Sequence, residues 1–119
     1  MDKKTILIVE DEVITAMEIE SCLTDLGYKV SGIVNSGEKA IKRIAENGIK
    51  LILMDIQLKG ELDGIETTEI IRSKFNIPVV FLTAHAEREE EIRSRLSFSF
   101  GFLSKPFNDR ELKSAIDMY

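Results

Sequence analysis

Three runs in this chain, ILIV at 6–9, LILM at 51–54 and VVFL at 79–82, are apolar at every position instead of at every second one. Successive side chains of a strand point to opposite faces, so a strand with one wet face alternates apolar and polar residues. A strand apolar on both sides needs cover on both sides, which is the position of a central strand in a parallel sheet wrapped by crossover helices. The segments between the runs have helical spacing: Ala16, Ile19, Leu23 and Leu26 form one stripe, and Ala40, Ile41, Ile44 and Ala45 another. Strands are therefore expected at Thr5–Glu10, Lys29–Val34, Leu51–Asp55, Pro78–Thr83 and Gly101–Ser104, alternating with helices. The expected class is α/β, in a (βα)₅ order.

Local signals set the helix limits. Gly27 and Gly48 follow the first two helical stripes as C-terminal stops, and Asn35 with Glu38 and Asn108 with Glu111 have the spacing of N-terminal capping pairs. The segment Arg88–Ser97 has few apolar residues, so it is expected to be the least firmly anchored helix. A chain of 119 residues that is 44% hydrophobic can bury the core of one domain without cross-links. Its single cysteine, Cys22, lies among Ile19, Leu23 and Leu26 and is expected to be a near-core residue, in a reducing, cytoplasmic setting. No apolar run approaches the roughly 20 residues that span a bilayer, and the opening MDKKT leads into a strand, not a signal peptide, so no membrane association is expected. A net charge of −5 argues against broad nucleic-acid binding by this chain alone, which usually requires a basic face.

In an open parallel sheet, ligands bind beyond the carboxyl ends of the strands. The residues at which the apolar runs stop are therefore the informative ones. The first run stops at Glu10 and Asp11, the third at Asp55, the fourth at Thr83 and the fifth at Ser104, Lys105 and Pro106. Three carboxylates, a hydroxyl and an ammonium thus converge on one sheet edge. Clustered carboxylates repel and raise one another's pKa, a cost that a hard divalent cation relieves; Mg²⁺ suits a site of few carboxylates. Glu12, next in the row, fits an ordinary acid in the first turn of a helix, and His85 a solvated loop residue. Asp55 is the residue that resists an ordinary explanation, since a fully apolar strand more often ends in Gly, Asn or Ser.

IVEDE, LMDIQLKGELDG, VVFLTA and GFLSKPF, in this order and at this spacing, resemble the response-regulator receiver domains of two-component signalling. The resemblance covers essentially the whole chain. It implies a flavodoxin-like, doubly wound five-stranded parallel sheet in the order 2-1-3-4-5, with residues 1–119 forming a single receiver domain and no output domain in the chain. It further implies that Asp55 is the phosphoacceptor, that Glu10 and Asp11 help hold Mg²⁺ (Mn²⁺ able to substitute), and that Gln57 supplies a backbone carbonyl to the metal. Lys105 resembles the lysine that contacts the phosphoryl group, Thr83 the switch hydroxyl and Phe102 the switch aromatic, and the Lys105–Pro106 bond resembles the family's cis peptide. The partners implied are a sensor histidine kinase or a histidine phosphotransfer domain, together with a homodimer through the face of the fourth helix, fifth strand and fifth helix, from Arg88 to Tyr119. Such a domain is not an enzyme in the ordinary sense: it catalyses only its own phosphorylation and slow dephosphorylation.

Some positions depart from the family pattern. Glu10 stands where aspartate is commoner, which lengthens one arm and leaves room for a water between it and the metal. The loop after Asp55 lacks the frequent Met-Pro and is one residue longer before Asp63-Gly64, and Phe102 stands where tyrosine is often found. Two alternatives remain at this point. A phosphohydrolase of the aspartyl-phosphate type would use Asp55 as nucleophile but wants an acid two residues on, where this chain has Gln57. A receiver that only docks, without phosphorylation, would have no need of the full set Glu10, Asp11, Asp55, Thr83 and Lys105.

Overall fold

The structure, a computed structural model, describes residues 4–46 and 48–119; the first three residues of the MDKKT opening lie outside them. Five strands form a parallel sheet: β1 (Thr5–Val9), β2 (Lys29–Val34), β3 (Leu51–Asp55), β4 (Val79–Thr83) and β5 (Gly101–Ser104). Their spatial order is β2-β1-β3-β4-β5. The helices are α1 (Val13–Asp25), α2 (Gly37–Ile44), α3 (Gly64–Arg72), α4 (Glu89–Arg95) and α5 (Asp109–Asp117), with a single 3₁₀ turn, Ala86–Arg88, leading into α4. This is the flavodoxin-like α/β arrangement that the apolar runs and the motifs imply.

The wholly apolar strands are indeed covered twice. Leu7, Val9, Ile52, Met54 and Phe81 face a core completed by Ala40 and Ile44 of α2, Ile65 and Ile71 of α3 and Ile92 of α4. The alternate residues Ile6, Ile8, Leu51, Leu53, Val80 and Leu82 face a second core with Ile19 and Leu23 of α1 and Leu112, Ala115 and Ile116 of α5. Every residue of β3 and β4 is buried, so the two strands whose ends carry Asp55 and Thr83 lie in the most water-excluded part of the sheet.

Three expected boundaries move, each for a physical reason. Glu10 lies just beyond β1, although its N–H still donates to the Val34 carbonyl at 3.0 Å. Pro78 lies outside β4: it has no N–H for a ladder, and only its carbonyl takes part, accepting from Ile52 N–H at 3.0 Å. The cap of α2 is Ser36, whose hydroxyl accepts from Lys39 N–H, and not Asn35 with Glu38. The β1–β2 ladder runs to Val9 opposite Val34, so the chain turns into α2 one residue later than the Asn35 spacing suggested. Asn108 and Glu111 do form a reciprocal capping box, and Gly27 follows α1 with φ of 95°. Gly48 also has positive φ, four residues past Ile44.

Candidate functional site

β1, β3, β4 and β5 deliver their terminal residues to one edge of the sheet. Glu10 and Asp55 are buried, at 1% and 6% exposure, and Thr83 is buried beside them. Single oxygens of Glu10, Asp11 and Asp55 lie within 4.8 Å of one another. Lys105 reaches in from the loop after β5: its Nζ donates to Glu10 Oε1 at 2.7 Å and stands 3.5 Å from Asp55 Oδ2. The other Glu10 oxygen, Oε2, accepts from Glu12 N–H at 3.2 Å, and Gln57 N–H donates to Asp55 Oδ1 at 3.2 Å. The Lys105–Pro106 peptide is cis.

Burial raises the Asp55 carboxyl, and the hydrogen bond and negative charge of Glu10 raise it further, so that it is pushed up to about 7. Burial works against the charge of Glu10 as well, but hydrogen bonds with Asp55 and Lys105 outweigh it and hold Glu10 below its ordinary range. For Lys105, burial again opposes the charge, while the hydrogen bond to Glu10 and the charges of Asp55 and Glu10 prevail and raise it. The two buried carboxylates therefore divide their roles. Glu10 is the ionised partner of Lys105, and Asp55 is the carboxyl whose ionisation its burial and the charge of Glu10 oppose.

The donor set fits one. Three carboxylate oxygens this close suit a single hard divalent cation better than three separate solvated acids, and a small cation of this kind leaves its remaining coordination to water. Gln57 begins the β3–α3 loop, with its side chain exposed and its main chain already tied to Asp55. Gly64, the first residue of α3, is what lets that loop close. A Cβ there would lie 2.1 Å from the Asp55 carbonyl oxygen, and its N–H donates to Ile56 O at 2.8 Å. The residue-type signal for it was the Asp63-Gly64 pair that opens the helix.

Thr83 and Phe102 sit on adjacent strands. Thr83 Oγ1 accepts from His85 N–H at 3.0 Å, and Lys105 N–H donates to Thr83 O at 2.7 Å. Phe102 pairs opposite Phe81 and is half-buried against the α2–α4 core. His85 is exposed, 3.4 Å from Glu87, as expected of a loop histidine. Cys22 is half-buried, and its thiol donates to Asp109 Oδ1 at 2.9 Å; burial, then that hydrogen bond, pushes it up to about 12, so it is no nucleophile.

Neither the apolar runs nor the motifs point to what surrounds the site. At the start of α1, Val13, Ile14 and Met17 are 71%, 73% and 59% exposed, an apolar patch beside Asp11. On one side of it a groove of about 540 Å³ runs along Ile19, Ala84, Lys105 and Phe107, and on the other a hollow of about 250 Å³ lies against Asp11, Asn35 and Lys39. In the sequence these residues form a second apolar stripe, offset from the buried stripe Ala16, Ile19 and Leu23. No helix among the described residues is long and apolar enough to cross a membrane.

The sequence matches the response regulator receiver domain family over residues 6–117. It is 31% identical, over 97% of its length, to the transcriptional regulatory protein PdtaR of Mycobacterium tuberculosis, and it spans 56% of that protein, about half the length of the first curated relatives it matches. Among solved structures, the signal receiver domain of a modulated diguanylate cyclase from Desulfovibrio desulfuricans G20 is 32% identical with a TM-score of 0.85, covering 98% of this chain and 93% of that one. The receiver domain of sensor histidine kinase PA1611 from Pseudomonas aeruginosa, solved with a magnesium ion coordinated in its active-site cleft, is 31% identical with a TM-score of 0.85, covering 99% of this chain and 98% of that one. The chain belongs to the response regulator receiver domain family of two-component signalling, a family of signalling modules.

Proposed function

We propose that Asp55 accepts a phosphoryl group from the phosphohistidine of a sensor histidine kinase or a histidine phosphotransfer domain, and that the chain relays the event as a change of its α4–β5–α5 face. In the transfer, an Asp55 oxygen attacks phosphorus as the P–N bond to the donor imidazole breaks. The products are an acyl phosphate on Asp55 and a free imidazole. Asp55 must be ionised to attack. Lys105 stands at 3.5 Å, ready to turn from Glu10 to the phosphoryl oxygens, and Thr83 can donate its hydroxyl to the same group. Asp11, Asp55, the Gln57 carbonyl and, directly or through water, Glu10 would hold Mg²⁺ or Mn²⁺, which offsets the charge on the transferring group. The exposed Val13, Ile14 and Met17 rim the site and offer an apolar seat for the donor, so that a deeply set Asp55 can still be reached. The whole described chain acts as one receiver unit in this reading, in the cytoplasm, without direct nucleic-acid contact.

The observation that carries the proposal is the juxtaposition of three carboxylates with Lys105 at the ends of two wholly apolar strands. Incubation with acetyl phosphate and Mg²⁺, followed by intact-mass measurement, is expected to add one phosphoryl group to the wild type and none to Asp55→Asn. A phosphoryl gain in Asp55→Asn would overturn the assignment. Asp11→Asn is expected to weaken Mg²⁺ binding by at least about tenfold, through loss of a direct carboxylate ligand.

A further inference from the structure

We propose that a chain of ion pairs, Arg88–Glu91–Arg95–Glu69, latches α4 onto α3 in the resting molecule, and that a phosphoryl group on Asp55 loosens it. The switch face rests on the function proposed above, but the latch is a separate feature of this sequence.

The contacts form one path. Arg88 lies at the end of the 3₁₀ turn and donates from Nε and Nη2 to the two Glu91 oxygens at 2.9 and 3.1 Å. Glu91 is also within 3.8 Å of Arg95 Nη1, one helical turn on. Arg95 Nη2 crosses to α3 and donates to Glu69 Oε1 at 2.6 Å. The path ends on firm ground: five residues of α3 are buried, and its first residue, Gly64, packs against the Asp55 main chain.

α4 has little else to hold it. Ile92 is its one buried residue, and no side chain caps its N-terminus. Arg93, the other basic residue in its last turn, pairs within the helix to Glu89 and lies 5.3 Å above the Phe100 ring. Only the Arg95–Glu69 pair joins α4 to α3 by charge among the described residues.

The path begins where the switch hydroxyl acts. Thr83 Oγ1 accepts from His85 N–H, and the His85 carbonyl accepts from Arg88 N–H at 3.0 Å. If Thr83 turns toward a phosphoryl group, it gives up or drags the His85 contact, and the 3₁₀ turn carrying Arg88 follows. α3 cannot follow, because Gly64 and its buried residues fix it. The strain falls on half-exposed pairs, which are weak singly and screened by salt. Releasing them uncovers Ile92 and Leu96.

Hydrogen exchange of the amides 89–96 in the full chain tests this. Arg95→Ala and Glu69→Gln are each expected to speed exchange there by about two- to fivefold, the amount a pair of this exposure supplies, with α3 amides unchanged. Higher salt should do the same to the wild type and little to the variants. In the double variant Glu69→Gln with Arg95→Ala, the second substitution should speed exchange less than it does alone, because both act through one contact, whereas a merely structural role for either residue would give effects that add. Unchanged exchange in both single variants, or single effects that simply add in the double variant, overturns the latch. Release is read on wild-type protein after acetyl phosphate, with intact mass taken from the same sample. A phosphorylated chain whose 89–96 amides exchange no faster refutes release. A chain that gains no mass refutes the phosphoacceptor proposal instead, and release with it, while the double variant still decides the latch.

Discussion

α3 and α4 are short neighbouring helices on the same face of the sheet, yet they are held in opposite ways. α3 has a reciprocal capping box between Asp63 and Glu66 and buries Gly64, Ile65, Thr67, Thr68 and Ile71. α4 has no side-chain cap, buries Ile92 alone, and is ringed by Arg88, Glu89, Glu91, Arg93 and Arg95 in surface pairs. Packing in a close-fitted core is stiff, because a small displacement forfeits many contacts at once. Surface pairs give way at little cost. The helix that packs beside Asp55 is therefore held by its core contacts, and the helix proposed to move is held largely by charge.

The largest expected effect tests the packed side. Ile71→Ala removes a side chain that is 1% exposed from a core with little room to collapse, and should cost about 3 kcal/mol of global stability in urea unfolding. Ile92 is equally buried, so area alone predicts the same loss for Ile92→Ala. Its effect on the global transition is expected to be smaller, about 1 kcal/mol, because the loss cannot exceed what docks α4 in the first place. Equal losses would break the comparison and make α4 an ordinary packed helix.

That contrast is partly legible in the amino-acid sequence. Apolar runs at 6–9, 51–54 and 79–82 can be satisfied only by double cover, which determines the sheet, its parallel sense and the edge carrying Glu10, Asp55 and Thr83. The poverty of apolar residues after Arg88 points to a loosely held α4. What stays hidden are features in which spacing leaves two choices or none. Asn35–Glu38 and Ser36–Lys39 have the same capping interval, and only the length of the β1–β2 ladder decides between them. The Arg95–Glu69 contact joins residues 26 apart in sequence, and no periodicity reports such a pair. Gly64 can be seen to open a helix, but not that its bare Cα accommodates the Asp55 carbonyl.

A second effect sharpens the firm side electrostatically. The packing that fixes Asp55 also keeps its charge away from water, and its carboxyl, raised to about 7, holds a proton that the unfolded chain releases near 3.8. Between those values the native state binds more protons, so this group lowers stability as pH rises, with the full cost present above about 7. Glu10 runs the other way: its lowered carboxyl contributes stability above its unfolded pKa of 4.5 that is lost as pH falls. In chelator, Asp55→Asn should therefore be more stable than wild type by up to about 4 kcal/mol at pH 8 and by well under about 1 kcal/mol at pH 4. Saturating Mg²⁺ should shrink the gap at pH 8, because a bound cation favours the ionised wild-type carboxylate. A gap independent of pH would mean that Asp55 is not the strained carboxylate.

The smallest expected effect separates charge that holds α4 together from charge that holds α4 in place. Arg93 and Arg95 are both exposed arginines of the last turn of α4. Arg93 pairs with Glu89 on the same helix, four residues back, an arrangement worth about 0.3–0.5 kcal/mol whether or not the helix is docked. Outside the helix it meets the Phe100 ring, 5.3 Å away at an exposed site, where a cation–π contact contributes about 0.5 kcal/mol. Arg95 makes its short contact with Glu69 of α3. Arg93→Ala should thus cost about 0.5 kcal/mol of helix stability while changing exchange at 89–96 less than Arg95→Ala does, and its effect should be insensitive to Glu69→Gln. A double-mutant cycle over 69, 93 and 95 measures this directly, with coupling expected between 69 and 95 and none between 69 and 93. Coupling of both arginines to Glu69 would mean that the whole charged ring, and not one path through it, keeps α4 on α3.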